Sequence, residues 1–276
     1  MVEEVGSRAR LARWLEGDGI EIGALHEPLH TPPAARVSYV DRLDERGLRE
    51  HYPELAEKSL VPVSVIASAD DLSMFADCSL DFVIANHLLE HLEYPIKALL
   101  EFHRVLRPGG IVYMALPDRR LTFDQKREPT SIEHLLDEHR RGADATRWDH
   151  YLDWSVNVDG KSGQEATAHA RRLLDKAYAI HFHVWTPDSF LDFLVAVRRE
   201  LGLEFELLEF AAPELETDNE FILVMARSNG SVRHAPQPAL ESARVTAVTL
   251  RQRLARSPVG PPVRAVRRLV RKARAG

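Results

Sequence analysis

The chain has 276 residues, of which 45% are hydrophobic and 28% charged, and carries a formal net charge of −6. That composition supports a sizeable buried core and excludes an intrinsically disordered chain. The single cysteine, Cys78, excludes an internal disulfide framework and a cysteine-rich zinc site, which points to a reducing compartment.

The first residues are charged and contain no apolar signal region, and no window approaches the roughly 18 apolar residues of a membrane span. The expected location is therefore the cytoplasm. Charge is unevenly spread: from Arg244 onward lie ten positive charges with no Asp or Glu after Glu241, which leaves −16 for the rest. An acidic body with a basic tail bears on partners rather than on fold.

Residues 3–16 have the periodicity of a short amphipathic helix, with Val5, Leu11, Ala12 and Leu15 on one face. Gly17-Asp18-Gly19 is read as a turn before a short strand, Ile20 to Ile22, that ends at Gly23. A second strand is expected at Arg36–Val40, closing at Asp41, and a charged helix over 44–58. Val61–Ile66 and Leu80–Ala85 are the third and fourth strands. A helix is predicted from about Leu88 to Leu106, stopped by Arg107-Pro108-Gly109-Gly110. Ile111–Leu116 is the fifth strand, closed by Pro117. Strands alternating with helices imply a largely parallel sheet.

The alternation breaks at Asp118. Residues 118–183 are polar and histidine-rich and are read as a mainly helical insertion. Regularity returns at Thr186-Pro187-Asp188, an N-cap followed by proline at the first helical position. The helix there runs to Leu201-Gly202, and two strands follow, Glu204–Phe210 and Glu220–Ala226. The fold expected is α/β, with seven strands, a final antiparallel hairpin and a helical insertion after strand five. Residues 1–228 form the main domain and 229–276 a linker and basic tail.

In Rossmann-like sheets a glycine such as Gly23 at the end of the first strand lets the backbone approach a cofactor. Asp41, about twenty residues on, can accept hydrogen bonds from both hydroxyls of an adenosine ribose. The stretch from Ser68 to Pro117 combines an acidic-Leu pair, a turn, the strand LDFV, the string HLLEH and LRPGG. With Ile20–Asp41 it resembles the class I methyltransferase family, which depends on S-adenosylmethionine. The resemblance implies that Glu21, Gly23 and Ala24 line the methionine end of the cofactor and that Asp41 holds its ribose. It further implies that Asp70, Asp71 and Leu72 border the adenine, and that Asn86 and His87 sit beside the sulfonium and the acceptor. The family's glycine-rich first loop is altered, because Leu25 and Glu27 replace its second and third glycines. They would obstruct a pyrophosphate, which disfavours a nicotinamide cofactor.

Two segments flank the expected acceptor: PDRRLTFDQKREPTSIEHL, with Asp118, Asp124, Arg127 and His134, and the run Ile180–Pro187. Both resemble methyltransferase-like proteins from bacterial glycan contexts, which implies O-methylation of a saccharide or another small hydroxylated acceptor. His181 and His183, two apart, would face one way in an extended segment, and either could serve as general base. With Asp118 they could instead hold a divalent metal, or one could pack against Trp185; no metal ligands are assigned. His87 completes the catalytic candidates, and Trp148, Trp154 and Trp185 could stack on a sugar or pack in the core. An amine or carboxylate acceptor, or a cofactor-binding scaffold without turnover, are the other readings. In the tail, Val263, Val266, Leu269, Val270 and Ala273 are spaced as a basic amphipathic helix suited to an anionic membrane or a protein partner. The acidic body disfavours nucleic acid.

Overall fold

A computed structural model of the chain describes residues 6–213 and 219–228. The linker and basic tail assigned to 229–276 lie outside the described residues, as do the first residues of the N-terminal helix. No helix among the described residues is long and apolar enough to cross a membrane.

Seven strands form one sheet: β1 (Gly17–Ile22), β2 (Ala35–Asp41), β3 (Val65–Ile66), β4 (Leu80–Asn86), β5 (Leu106–Pro117), β6 (Phe205–Ala211) and β7 (Glu220–Arg227). Their order is β3-β2-β1-β4-β5-β7-β6. The first five run parallel, and β7 is antiparallel to both of its neighbours. This is the expected seven-stranded α/β sheet with its final antiparallel pair.

Strand β4 is apolar at nearly every position because both of its faces are covered. Val83 and Ala85 face one core with β5 residues Val112, Met114 and Leu116. Phe82 and Ile84 face the other with Tyr113 and Ala115. Helix α1 (Ser7–Leu11) covers the second core. The edge helix α2 (Glu45–His51) is capped by Asp44 and packs Leu48 into a small separate cluster. Helices α3 (Pro95–Val105), carrying Ile96, Leu99 and Phe102, and α7 (Pro187–Leu201), carrying Phe190, Phe193 and Val197, close the first. Each such buried side chain contributes about 1.5–3 kcal/mol relative to exposure. The start of α7 is a capping box of Thr186 and Ser189 with Pro187 at its first turn.

Several boundaries differ from the expectation, each for a local reason. Gly17–Gly19 is the start of β1 rather than a turn, because it pairs with Ala35–Val37. The third strand shrinks to Val65–Ile66, since the Val61 amide donates to the Leu25 carbonyl instead and Pro62 has no donor. LRPGG does not interrupt the chain but forms the first half of β5. The helix expected from Leu88 begins at Pro95, preceded by a 3₁₀ turn at Leu89–His91. Pro95 keeps Tyr94 out of the helical region, which leaves Glu90 and His91 on a turn at the carboxyl edge of the sheet.

The chain leaves the sheet at Asp118 and returns at Trp185, where the two residues form a parallel bridge. Between them lie α4 (Ile132–Arg141), α5 (Arg147–Asn157) and α6 (Gly163–Asp175). Arg127, almost fully buried, ties this region together. Its guanidinium donates to Asp124, to Asp153 and to the His181 and Phe182 carbonyls.

Candidate active site

Strands β2, β1 and β4 are neighbours, so Asp41, Gly23 and Asn86 come to one stretch of the carboxyl edge. Gly23 continues the pairing past β1 through its amide, 2.9 Å from the Val40 carbonyl. Its φ of +74° is one a glycine adopts without strain. Ala24 opens the turn that follows, its carbonyl accepting from Glu27 at 3.0 Å. Leu25 takes φ +52°, which for a non-glycine residue costs on the order of 1 kcal/mol or more. Its packing against the cluster of Leu48, Leu55 and Leu60 offsets that strain, so an apolar anchor stands where the family has a glycine.

Glu21 is buried, and both its oxygens lie within 3.1 Å of the Leu29 amide. Burial raises its pKa to about 7, against the opposing pull of the Leu29 amide and the Arg8 charge. The carboxylate thereby fastens the far end of the altered loop. Asp41 is mostly buried at the end of β2, and burial raises its pKa while the Arg42 and Leu43 amides act to lower it. A carboxylate with about four acceptor positions keeps capacity for external hydroxyls beyond two such amides.

Past β3 the chain turns tightly: Ser68 and Asp71 form a bridge, and the Ser68 hydroxyl donates to Asp70. Asp70 also faces Lys97 at 3.8 Å. Asp71 is held below the usual carboxylate range by hydrogen bonds from Ser73. Leu72 does not offer the apolar contact expected of it. Its side chain has no exposed surface within the main core, and its amide donates to Glu101 at 2.8 Å. The exposed apolar side chains near this loop are instead Ile66, the register partner of Asp41, and Met74.

At the end of β4 the Asn86 amide is buried beside Glu21, and its hydrogen bond to that carboxyl acts against the rise in the Glu21 pKa. His87 has φ +47°, and its Nε2 lies 2.6 Å from Glu220 Oε2. Its Nδ1 faces the buried Glu90 carboxylate at 3.4 Å. Burial acts to lower the His87 pKa, but the bonds to Glu220 and Glu90 win and raise it to about 9. The ring is therefore cationic near neutrality and unsuited to be the general base. Glu220 also accepts from Arg8 at 2.7 and 2.6 Å. Neither Glu220 nor Arg8 stood out in the sequence, for each is remote along the chain from His87.

His181 and His183 do not point the same way, because the segment holding them is not a strand. His181 Nδ1 lies 2.7 Å from Asp124 Oδ2, and its ring packs edge-on to His91 at 4.7 Å and against Phe123 at 4.8 Å. His183 is fully buried on the opposite side, where burial and nearby His150 lower its pKa to about 3. It has no solvent access through which to act as a base. Asp118 is committed elsewhere, since Arg120 donates to both of its oxygens. Trp185 stacks on Phe193 in the core, and Trp148 lies under Arg171. Trp154 alone of the three approaches His181, at 5.9 Å. Phe123, 37% exposed on the insertion, is an aromatic rim the sequence reading passed over.

The glycine turn, the Asp41 carboxylate and the Asn86 amide bring together the polar groups that an adenosyl ligand with hydroxyls and a polar tail would need. The family model described as a methyltransferase domain matches residues 19–114. The human thiol S-methyltransferase TMT1B is 32% identical over 89 residues, which cover 30% of this chain. The chain spans 34% of the length of that curated relative. Among solved structures, the chain is similar to a Methanosarcina mazei S-adenosylmethionine-dependent methyltransferase at 18% identity and a TM-score of 0.43, over 77% of this chain and 93% of the other. It is also similar to a Thermotoga maritima protein described as a possible histamine N-methyltransferase, at 16% identity and a TM-score of 0.42, over 79% and 92%. Residues 19–114 therefore match a methyltransferase-domain model, and the cofactor that this match implies is S-adenosylmethionine.

Proposed function

We propose that the chain methylates a hydroxyl of a small acceptor, a saccharide in the first instance, with Asp124–His181 as the proton-accepting pair. The supporting observation is the position of His181. It packs on His91, one short turn past the Asn86–His87 end of β4, and the Phe182 amide donates to the Glu90 carbonyl at 2.7 Å. The site at the sheet edge and the insertion therefore meet at this imidazole.

Asp41 would hold the ribose hydroxyls, the turn at Gly23 would admit the methionine end, and Asn86 would meet polar atoms at the centre. Bound there, S-adenosylmethionine supplies an electrophilic methyl group. The chain's own task is alignment and proton removal. With an Nδ1 proton directed at Asp124, His181 would present its Nε2 lone pair, the arrangement a hydroxyl needs to lose its proton. Arg127 neutralises Asp124 and keeps it in place. Phe123 and Trp154, 5.4 Å apart and edge to face, both pack near the His181 ring and offer an apolar surface suited to the C–H face of a sugar ring.

The test is methyl transfer from isotope-labelled S-adenosylmethionine to panels of sugars, amines, carboxylates and thiols, the last included because of the human relative. The expected product is a methyl ether, read by NMR. Label appearing only in amines, esters or thioethers overturns the hydroxyl assignment. Tight cofactor binding with no transfer to any acceptor makes the chain a scaffold.

A further inference from the structure

The insertion contains a second cluster of polar side chains that the methyl-transfer reading does not use. His134 and Glu138 lie one helical turn apart on α4, His150 comes from α5, and His183 comes from the segment before α7. One ligand atom from each of the four lies within 4.8 Å of every other. Glu138 Oε1 is 3.0 Å from His134 Nε2 and 2.8 Å from His150 Nε2, and these two nitrogens are 3.2 Å apart. Glu138 Oε2 faces His183 Nε2 at 3.4 Å, yet neither atom makes a hydrogen bond. Glu138 and His183 are both buried.

We infer that His134, Glu138, His150 and His183 form a four-ligand site for a divalent transition ion of the zinc class. The separations decide the class. A tetrahedral ion with bonds of about 2.0–2.1 Å places its ligand atoms roughly 3.3 Å apart, and the separations within the cluster, taken through one or the other Glu138 oxygen, span 2.8–3.4 Å. Three imidazoles with one carboxylate form a borderline donor set, which suits zinc and its cobalt surrogate over magnesium or calcium. The ion would satisfy the partnerless Glu138 Oε2 and His183 Nε2, whose burial otherwise carries an uncompensated cost. The Thr146 hydroxyl donates to Glu138 Oε1 and orients the carboxylate from outside the cluster. Four protein ligands leave no open position, so the role is structural. The ion joins α4, α5 and the segment bearing His181, and so holds the insertion against the sheet. Its ligands are separate from Asp41, Gly23 and Asn86, so its failure would leave the methyltransferase reading standing.

The experiment is titration of the chelator-stripped, full-length chain with Co2+, followed by its visible absorption, together with metal analysis of the chain as purified. A single equivalent should bind with the intense bands of tetrahedral cobalt, be displaced by zinc, and raise the melting temperature. His134→Gln, at the half-exposed edge of the cluster, and His150→Gln should each weaken binding by roughly tenfold or more and change the spectrum. Absence of uptake, or a weak octahedral spectrum, overturns the site. So does uptake that both variants leave unchanged, which would place the ion at the other histidine group, Glu90, His91 and His181.

Discussion

Glu220 Oε2 lies 2.6 Å from the Nε2 of His87 and also 2.6 Å from the Nη2 of Arg8, so one carboxylate of β7 joins the N-terminal helix to the strained residue after β4. Three segments distant along the chain are thereby locked over the edge of the sheet. Because His87 is raised to about 9, its contribution to stability is fully present below its ordinary value of 6.5 and is lost as pH rises through 9. Glu220, pushed down to about 2, contributes above 4.5 and loses that contribution as pH falls through 2. Glu220→Gln should bring the His87 titration, followed by its ring proton in NMR, back toward 6.5, with Glu90 still holding it somewhat above. The variant should also lose less stability than the parent between pH 6.5 and 9. An unmoved His87 titration would show that Glu220 is not its partner in solution.

Asp41→Ala should weaken S-adenosylmethionine binding by roughly 1–3 kcal/mol, the cost of leaving two hydroxyl donors facing a site without an acceptor. Isothermal titration reads this directly. Because Asp41 ends an interior strand with its side chain at the rim, the fold should tolerate the change. Binding within twofold of the parent would remove Asp41 from the cofactor site.

The Asp124–His181 pair predicts a split between binding and turnover. His181→Ala should keep cofactor affinity and lose most of kcat. Asp124→Asn should lose a large part of it as well, since an amide that donates to Nδ1 leaves the proton on Nε2. His183→Ala should act differently, lowering stability and metal uptake before it changes the rate constant of the folded fraction. Equal kcat in the His181 variant and the parent would assign that ring to packing against His91.

The legible parts of the chain were those governed by local rules. LDFVIA and IVYMAL are apolar on both faces because they are interior strands, and Thr186-Pro187 announces a helix start by capping chemistry alone. Leu72 shows the limit of carrying over a motif, since its position matched while its side chain was committed to the core. The His87–Glu220–Arg8 link was invisible because it depends on which sheet neighbours close over β4. His181 and His183 were read as facing one way on an extended backbone, but irregular chain between hydrogen bonds to Glu90 and Thr130 turns them apart. Glu138 went unnoticed in the sequence although it lies one turn from His134 on α4, and His150 and His183 join that pair only through tertiary packing.

Gly19 offers a test of how closely β1 and β4 must approach. A Cβ built at this position would fall 2.3 Å from the Phe82 ring, the side chain of its register partner on β4. Phe82 has no exposed surface and packs with Leu11, Ile84 and Tyr113, so the ring has nowhere to move without displacing the core under α1. Substituting alanine for glycine gains about 0.4–1 kcal/mol by restricting the unfolded chain. Overpacking a core costs about 1–3 kcal/mol, so the clash should win and Gly19→Ala should lower stability in urea unfolding. Phe82→Leu shortens the ring that causes the clash, and the double variant should be less destabilised than the sum of the two single changes. Additive losses, or a Gly19→Ala chain as stable as the parent, would mean that β1 and β4 can separate here without cost.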